Sequence, residues 1–146
     1  MITIKNIELA DLEQYAALCE ELFESKTNTT RLKTILQKIS ANPDYILIGT
    51  IDAESQQLLG AVMGIVCMDT VGECRPFMVI ENVVVSQKSR RLGIGKKLMS
   101  YIEDRARERN CYFTMFTSTA KRKEAHAFYE SIGYPKGVVQ GFKKYL

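Results

Sequence analysis

Hydrophobic and polar positions alternate from the start of the chain, so Ile2–Ile7 reads as a strand. Asp11 with Gln14 three places on predicts a capping box, and Leu12, Tyr15, Ala16, Cys19, Leu22 and Phe23 then fall on one face of a helix. Leu32, Ile35, Leu36 and Ile39 repeat the helical spacing until Pro43 closes the segment. Two apolar runs rich in β-formers, Tyr45–Ile51 and Leu58–Met68, flank the polar stretch DAESQQ and predict a hairpin. Phe77–Val85 is a third long strand, and Ile94, Leu98, Ile102 and Ala106 mark a long amphipathic helix. A strand near Tyr112–Thr117 follows, then a shorter helix bearing Ala125, Phe128 and Ile132, and the tail from Val138 to Tyr145 fits a last strand. Neither repeats nor low-complexity tracts interrupt this order. The pattern predicts an α+β protein with alternating α/β order, one mixed sheet with helices packed against it.

A length of 146 residues suits a single domain spanning 1–146. Hydrophobic residues at 46% and charged residues at 25% describe an ordinary folded chain, which excludes disorder and a disulfide-stapled miniature. The longest apolar stretch, Leu58–Met68, is far below the roughly 20 residues that span a bilayer. The beginning of the sequence has no basic start followed by an apolar block, so a cytoplasmic protein is expected. Cys19, Cys67, Cys74 and Cys111 contain no CxxC pair to grip zinc or exchange thiols, and no metal is expected. With His126 as the lone histidine, a Ser/His/Asp triad is a poor fit, and that residue reads as part of a helix at a packing or substrate edge.

The net charge of +3 divides unevenly: residues 1–89 hold 7 Lys and Arg against 12 Asp and Glu, whereas residues 90–146 hold 13 against 5. A basic half fits nucleic acid, a membrane surface or a compact anionic ligand, and position favours the last. Lys88, Arg90, Arg91, Lys96 and Lys97 surround Gly93 and Gly95, where a strand ending in Val83, Val84 and Val85 gives way to the long helix. Glycine permits close approach and left-handed φ, and the first amides of a helix have no intrahelical acceptor, so a phosphate or pyrophosphate suits this turn. Arg90, Arg91 and Lys96 add charge where that anion would lie. A P-loop would need Ser or Thr after Gly95-Lys96, where Lys97 stands, and a dinucleotide fingerprint would need a third glycine at Leu98. Neither pattern holds. A second basic cluster, Lys121, Arg122 and Lys123, opens the later helix.

These residues resemble the GNAT superfamily of acyl-coenzyme A-dependent N-acyltransferases. Its signature at this junction is Arg or Gln, two residues, Gly, any residue, then Gly or Ala, and Arg90, Gly93 and Gly95 match it. Ala125-His126-Ala127-Phe128-Tyr129-Glu130, followed by Gly133-Tyr134, is similar to the family's aromatic motif, and the element order is similar across essentially the whole chain. The resemblance implies the GNAT fold, a single mixed, mostly antiparallel sheet with splayed central strands flanked by about four helices. It implies acetyl-CoA as cosubstrate, with pantetheine along Val83, Val84 and Val85 and the diphosphate on Arg90, Arg91, Leu92, Gly93, Ile94, Gly95 and Lys96. The amide at or near Val83 would then face the thioester carbonyl as an oxyanion donor. Tyr129 would protonate the departing thiolate. Glu81, the only acid on the central strand, is the candidate base, acting directly or through a water; two-residue periodicity places it on the face of Val83 and Val85.

Arg122 departs from the family pattern: it stands seven residues before the tyrosine, where many relatives place an Asn that touches the pantetheine arm. A phosphate or an acidic substrate group is its alternative partner. Ser118 and Thr117 are further candidates for polar contact with the cofactor. By the same resemblance the acceptor side is built by Glu24–Thr30, Asp52–Gln57 and Gln140–Phe142, and the acidic first half suits a cationic amine. The expected activity is acetyl transfer from acetyl-CoA to a primary amine, a small molecule or a peptide, by direct attack in a ternary complex without an acyl-cysteine. Neither nucleic acid nor membrane is an expected partner, and family likeness admits a homodimer. Two other readings stand beside this one. A noncatalytic acyl-CoA-binding or sensor domain would keep the same loop. A nucleic-acid module would use the basic half, but interleaved aromatics and a helix-turn-helix pair are missing.

Overall fold

The alternating start folds as strand β1, Ile2–Asn6, and a 3-10 turn, Leu9–Asp11, leads into helix α1, Leu12–Phe23. The computed structural model describes residues 1–146 as two units, 1–115 and 116–146. The first unit continues with α2, Thr29–Ser40, β2, Tyr45–Asp52, β3, Leu58–Cys67, and β4, Phe77–Val85. A 3-10 turn, Gln87–Ser89, precedes α3, Ile94–Glu108, and β5, Thr114–Met115. The strands lie in chain order, β1-β2-β3-β4-β5. The first four pair antiparallel, and β5 pairs parallel to β4. That reversal follows from α3, a crossover helix of the kind parallel neighbours require.

Two apolar layers cover the sheet. On one face Tyr15 and Leu18 of α1 and Leu36 of α2 close over Leu47, Leu58, Ala61 and Val84. On the other, α3 buries Ile94, Leu98, Met99 and Ile102 to 2% exposure or less. Gly64 makes room for that helix: a Cβ there would lie 2.9 Å from both Ile102 and the Met78 sulfur. At Gly60 it would lie 3.0 Å from Ile94 and 3.1 Å from Leu98.

The register of β3 with β4 carries an irregularity that the apolar pattern does not announce. Met63 pairs with Glu81 but Ala61 pairs with Val84, so Val62 alone opposes Asn82 and Val83. This is a β-bulge, and Asn82 takes a left-handed φ of 55° within it. Alternation therefore slips by one. Met78 faces α3, whereas Val84 packs beneath α1 and α2. The expectation that Glu81, Val83 and Val85 share a face is overturned. Glu81 pairs with Met63, which packs on the α1 and α2 core, while Val85 pairs with Gly60, whose free side meets Ile94 and Leu98.

Other expectations shift locally. The capping box joins Glu8 and Asp11 rather than Asp11 and Gln14, because the chain enters α1 through the 3-10 turn. Asp11 Oδ2 accepts from the Glu8 amide at 2.9 Å, and Gln14 instead tethers the β2–β3 hairpin, accepting from the Leu58 amide at 2.7 Å. The strand expected over Tyr112–Thr117 shortens to two residues, paired as Met78 with Thr114 and Val79 with Met115. Its anchor is early: Phe113 stacks on Phe77 with ring centroids 5.2 Å apart, and the bulge beyond Val79 increases the twist of β4. The β5 side of β4 from Ile80 to Val85 thus has no strand partner, which is the expected splay.

The second unit contains α4, Lys123–Ser131, and the rings of Phe116, Tyr129 and Tyr134. Phe116 lies 4.4 Å from Tyr129 and 4.8 Å from Tyr134, centroid to centroid. Gly133, at φ 99°, turns the chain out of α4, and the Tyr134 amide donates to the Tyr129 carbonyl at 2.9 Å. The tail expected as a last strand forms none: residues 138–146 carry no strand ladder, and Val138, Val139, Phe142 and Tyr145 are exposed. Apolar alternation alone supplies no partner to pair with.

Candidate active site

The turn between β4 and α3 is built as a set of free donors. Ser86 and Ser89 fix its approach: the Ser86 amide donates to the Leu59 carbonyl at 2.8 Å and the Ser89 amide to the Ser86 carbonyl at 2.9 Å. Arg91 and Gly93 then adopt left-handed φ values of 68° and 74°. The first amide of this helix to find a backbone acceptor is Lys97, which donates to the Gly93 carbonyl at 3.0 Å. Those of Ile94, Gly95 and Lys96 point out of the helix N-terminus without one. A Cβ at Gly93 would meet nothing within 4 Å, so the turn is open at that residue. Arg90, Arg91 and Lys96 are exposed around the turn and make no ion pair. Lys97, counted by sequence with this cluster, is turned away and donates to the Ile2 carbonyl at 2.6 Å. Leu92 is exposed and Ile94 is buried in the core, which pins the helix start. Donors, dipole and three cations meet the requirements of a diphosphate.

Beside the bulge, a cleft of about 320 Å³ is lined by Cys19, Leu22 and Phe23 of α1, by Ser25, Lys26 and Thr27, and by Asn82. The loop is pinned from both ends. Glu24 closes α1 in a left-handed conformation, and the Thr27 amide donates to Glu20 Oε1 at 3.1 Å while its hydroxyl donates to the Ala16 carbonyl at 3.2 Å. Asn28 then caps α2, accepting from the Arg31 amide at 3.0 Å. Glu81, next to Asn82, is exposed and makes neither a hydrogen bond nor an ion pair. On the same strand Val83 sits inside the bulge and Val84 is buried, with Val85 half-buried toward α3. Glu21 joins the cleft's helix to the glycine turn by accepting from the Gln87 amide at 3.2 Å.

In the second unit Tyr129 is 8% exposed. Burial pushes its phenol above the usual tyrosine range, and the nearby Arg122 charge pulls in the opposite direction. The group therefore holds its proton at neutral pH, and Arg122 stabilises the anion left when that proton is given away. The Ser118 hydroxyl is buried without a hydrogen-bond partner, as are Thr50 Oγ1 and Arg105 Nε in the first unit. His126 Nε2 lies 2.9 Å from the Thr119 carbonyl, which occupies the imidazole with structure. All four cysteines are free thiols, and burial raises the pKa of Cys19 and of Cys111, the opposite of nucleophile activation. No group of three or more His, Cys, Asp or Glu side chains is placed to hold a metal ion, and no helix is long and apolar enough to cross a membrane.

The sequence reading missed two residues by name, Asn82 and Lys26. Asn is the residue type that tolerates a left-handed φ, so an Asn inside a run of β-branched residues is the signal that could have located the bulge. Lys26 stood within the segment Glu24–Thr30 but had no motif to single it out.

Comparison with known proteins agrees with this geometry. Residues 9–134 match the acetyltransferase (GNAT) family. Glucosamine 6-phosphate N-acetyltransferase 1 of Oryza sativa subsp. japonica is 26% identical over 140 residues, covering 94% of this chain and 83% of that protein. Among solved structures, a transcriptional regulator from Bacillus halodurans C-125 superposes with a TM-score of 0.90 at 22% identity, over 100% of both chains. Glucosamine-6-phosphate N-acetyltransferase from Arabidopsis thaliana does so with a TM-score of 0.85 at 20% identity, over 99% of both. With a family match over residues 9–134 and a sheet that opens beside a glycine turn at a helix start, the chain belongs to the GNAT acetyltransferases.

Proposed function

We propose that the protein transfers an acetyl group from acetyl-CoA to a primary amine by direct attack in a ternary complex. The observation that carries this reading is the outward-facing row of amides at Ile94, Gly95 and Lys96, with Arg90, Arg91 and Lys96 around it. They hold the diphosphate of acetyl-CoA. The unpaired edge of β4 at Val83–Val85 offers backbone groups to the pantetheine arm. The Val83 amide, at the bulge, stabilises charge on the thioester oxygen as the amine attacks. An alkyl ammonium, with a pKa of about 10, must shed its proton before attack. Glu81 accepts it, directly or through a water, from the face that also carries the cleft. Formation of the C–N bond expels the thiolate, and Tyr129 supplies its proton, aided by Arg122. Ser118 contributes a polar contact to the cosubstrate.

The test is release of free CoA thiol from acetyl-CoA in the presence of a panel of primary amines. Thiol release that depends on the amine supports transfer. Acetyl-CoA binding by calorimetry without release from any amine favours a noncatalytic acyl-CoA sensor.

A further inference from the structure

The charge of the cleft beside the bulge is specific about what enters it. Lys26 is the only charged side chain in its lining, and it makes no ion pair. Lys26 is exposed and lines the cleft with Ser25 and Asn82, on a loop fixed at Glu24 on one side and at Thr27 and Asn28 on the other. The acids nearby divide into two kinds. Glu20 is engaged by the Thr27 amide and Glu21 by the Gln87 amide, whereas Glu24 and Glu81 are exposed and unpaired. An unopposed cation in a cleft whose neighbouring strand carries an unopposed carboxylate describes a site for a dipolar molecule. A diamine or polyamine would set like charges against each other at Lys26, and a plain alkylamine would leave that ammonium without a partner.

We infer that the acceptor carries an anionic group, carboxylate or phosphate, besides its reacting amine, and that Lys26 binds that group with Ser25 and Asn82 as neutral donors. The inference rests on the acetyl-transfer reading above and narrows its substrate class. It also narrows the expectation of a cationic amine drawn from the acidic first half of the sequence. Lysine acts here as a mobile point charge, so both anions are accommodated without bidentate geometry.

The experiment measures CoA thiol release by the full chain with acetyl-CoA and matched amines. These are 5-aminopentanoate against pentylamine and 1,5-diaminopentane, and O-phosphoethanolamine against ethanolamine. The anionic amine of at least one pair should show a kcat/KM about tenfold above its counterpart lacking the anionic group and above the diamine. Lys26→Met should raise KM for the preferred anionic amine by about five- to tenfold more than for pentylamine, and Lys26→Glu should turn the preference toward the diamine. A shift seen only with the phosphate or only with the carboxylate identifies which anion is bound. Higher kcat/KM for pentylamine or the diamine in the unaltered protein overturns the inference, as does an unchanged KM for both anionic amines in the two variants. In either case CoA release continues, so acetyl transfer stands. Absence of release from every amine, with acetyl-CoA still bound in the calorimeter, removes the transfer reading and this inference together.

Discussion

Replacing Gly93 separates the conformational demand of the glycine turn from its chemical role. A Cβ at Gly93 meets nothing within 4 Å, so Gly93→Ala introduces no clash, only the strain of an L-residue at φ 74°. That strain costs about 1–2 kcal/mol. Asn tolerates the left-handed region, so Gly93→Asn should recover most of this loss. Affinity should behave differently. The new side chain adjoins the turn whose amides, at Ile94, Gly95 and Lys96, would face a diphosphate oxygen. A hydrogen bond to a charged group contributes about 1.5–3 kcal/mol, so losing one donor contact weakens acetyl-CoA about 10- to 100-fold. Urea unfolding measures the stability and titration calorimetry the Kd. The two variants should differ in stability and share the loss of affinity. If Gly93→Asn bound acetyl-CoA within twofold of the unaltered protein, the turn would not be the diphosphate site. A stability loss well above 2 kcal/mol in Gly93→Ala would contradict the open space itself.

Other outcomes follow from individual side chains. Tyr129→Phe should lower kcat at least tenfold while leaving the acetyl-CoA Kd within twofold, and full activity at every pH would remove its acid role. Because burial raises the folded-state pKa of Tyr129 and of Tyr15, the stabilisation they confer by staying protonated is present below about pH 10 and is lost as pH rises through their raised values. Urea midpoints should therefore fall above about pH 10, and less steeply in Tyr15→Phe. Glu81→Gln should depress kcat/KM most at low pH, where unprotonated amine is scarce, and an unaltered pH–rate profile would exclude it as base. Ile102, at 0% exposure between α3 and the sheet, should cost about 2–5 kcal/mol as Ile102→Ala by denaturant unfolding.

The long elements were legible because each satisfies one period. Phe77–Val85 was bounded correctly from its apolar run, and α3 from Ile94, Leu98, Ile102 and Ala106. The glycine turn at the start of α3 was legible for a related reason: the physics of a helix start is local, and Arg90, Gly93 and Gly95 state it within six residues. What escaped depends on partners distant in the chain. The bulge exists only in the register of β4 against β3, and a one-residue slip reverses the faces that sequence alternation assigns. The same holds for Gln14, whose side chain serves Leu58 rather than its own helix, and for Lys97, which serves Ile2. The C-terminal alternation at Val138 and Val139 looked like a strand because a strand's pattern can be written without the neighbour that would make it one.

The bulge at Asn82 lets β4 carry one residue more than β3 opposes. Because Val62 faces both Asn82 and Val83, Val84 still meets Ala61 under α1 and α2, and Val85 still meets Gly60 on the α3 side. Deleting Asn82 alone would keep both hydrophobic coats in place, whereas drawing all of these residues into a regular ladder would exchange them. The added residue thus shapes the strand beside the cleft and is not what holds either coat in register.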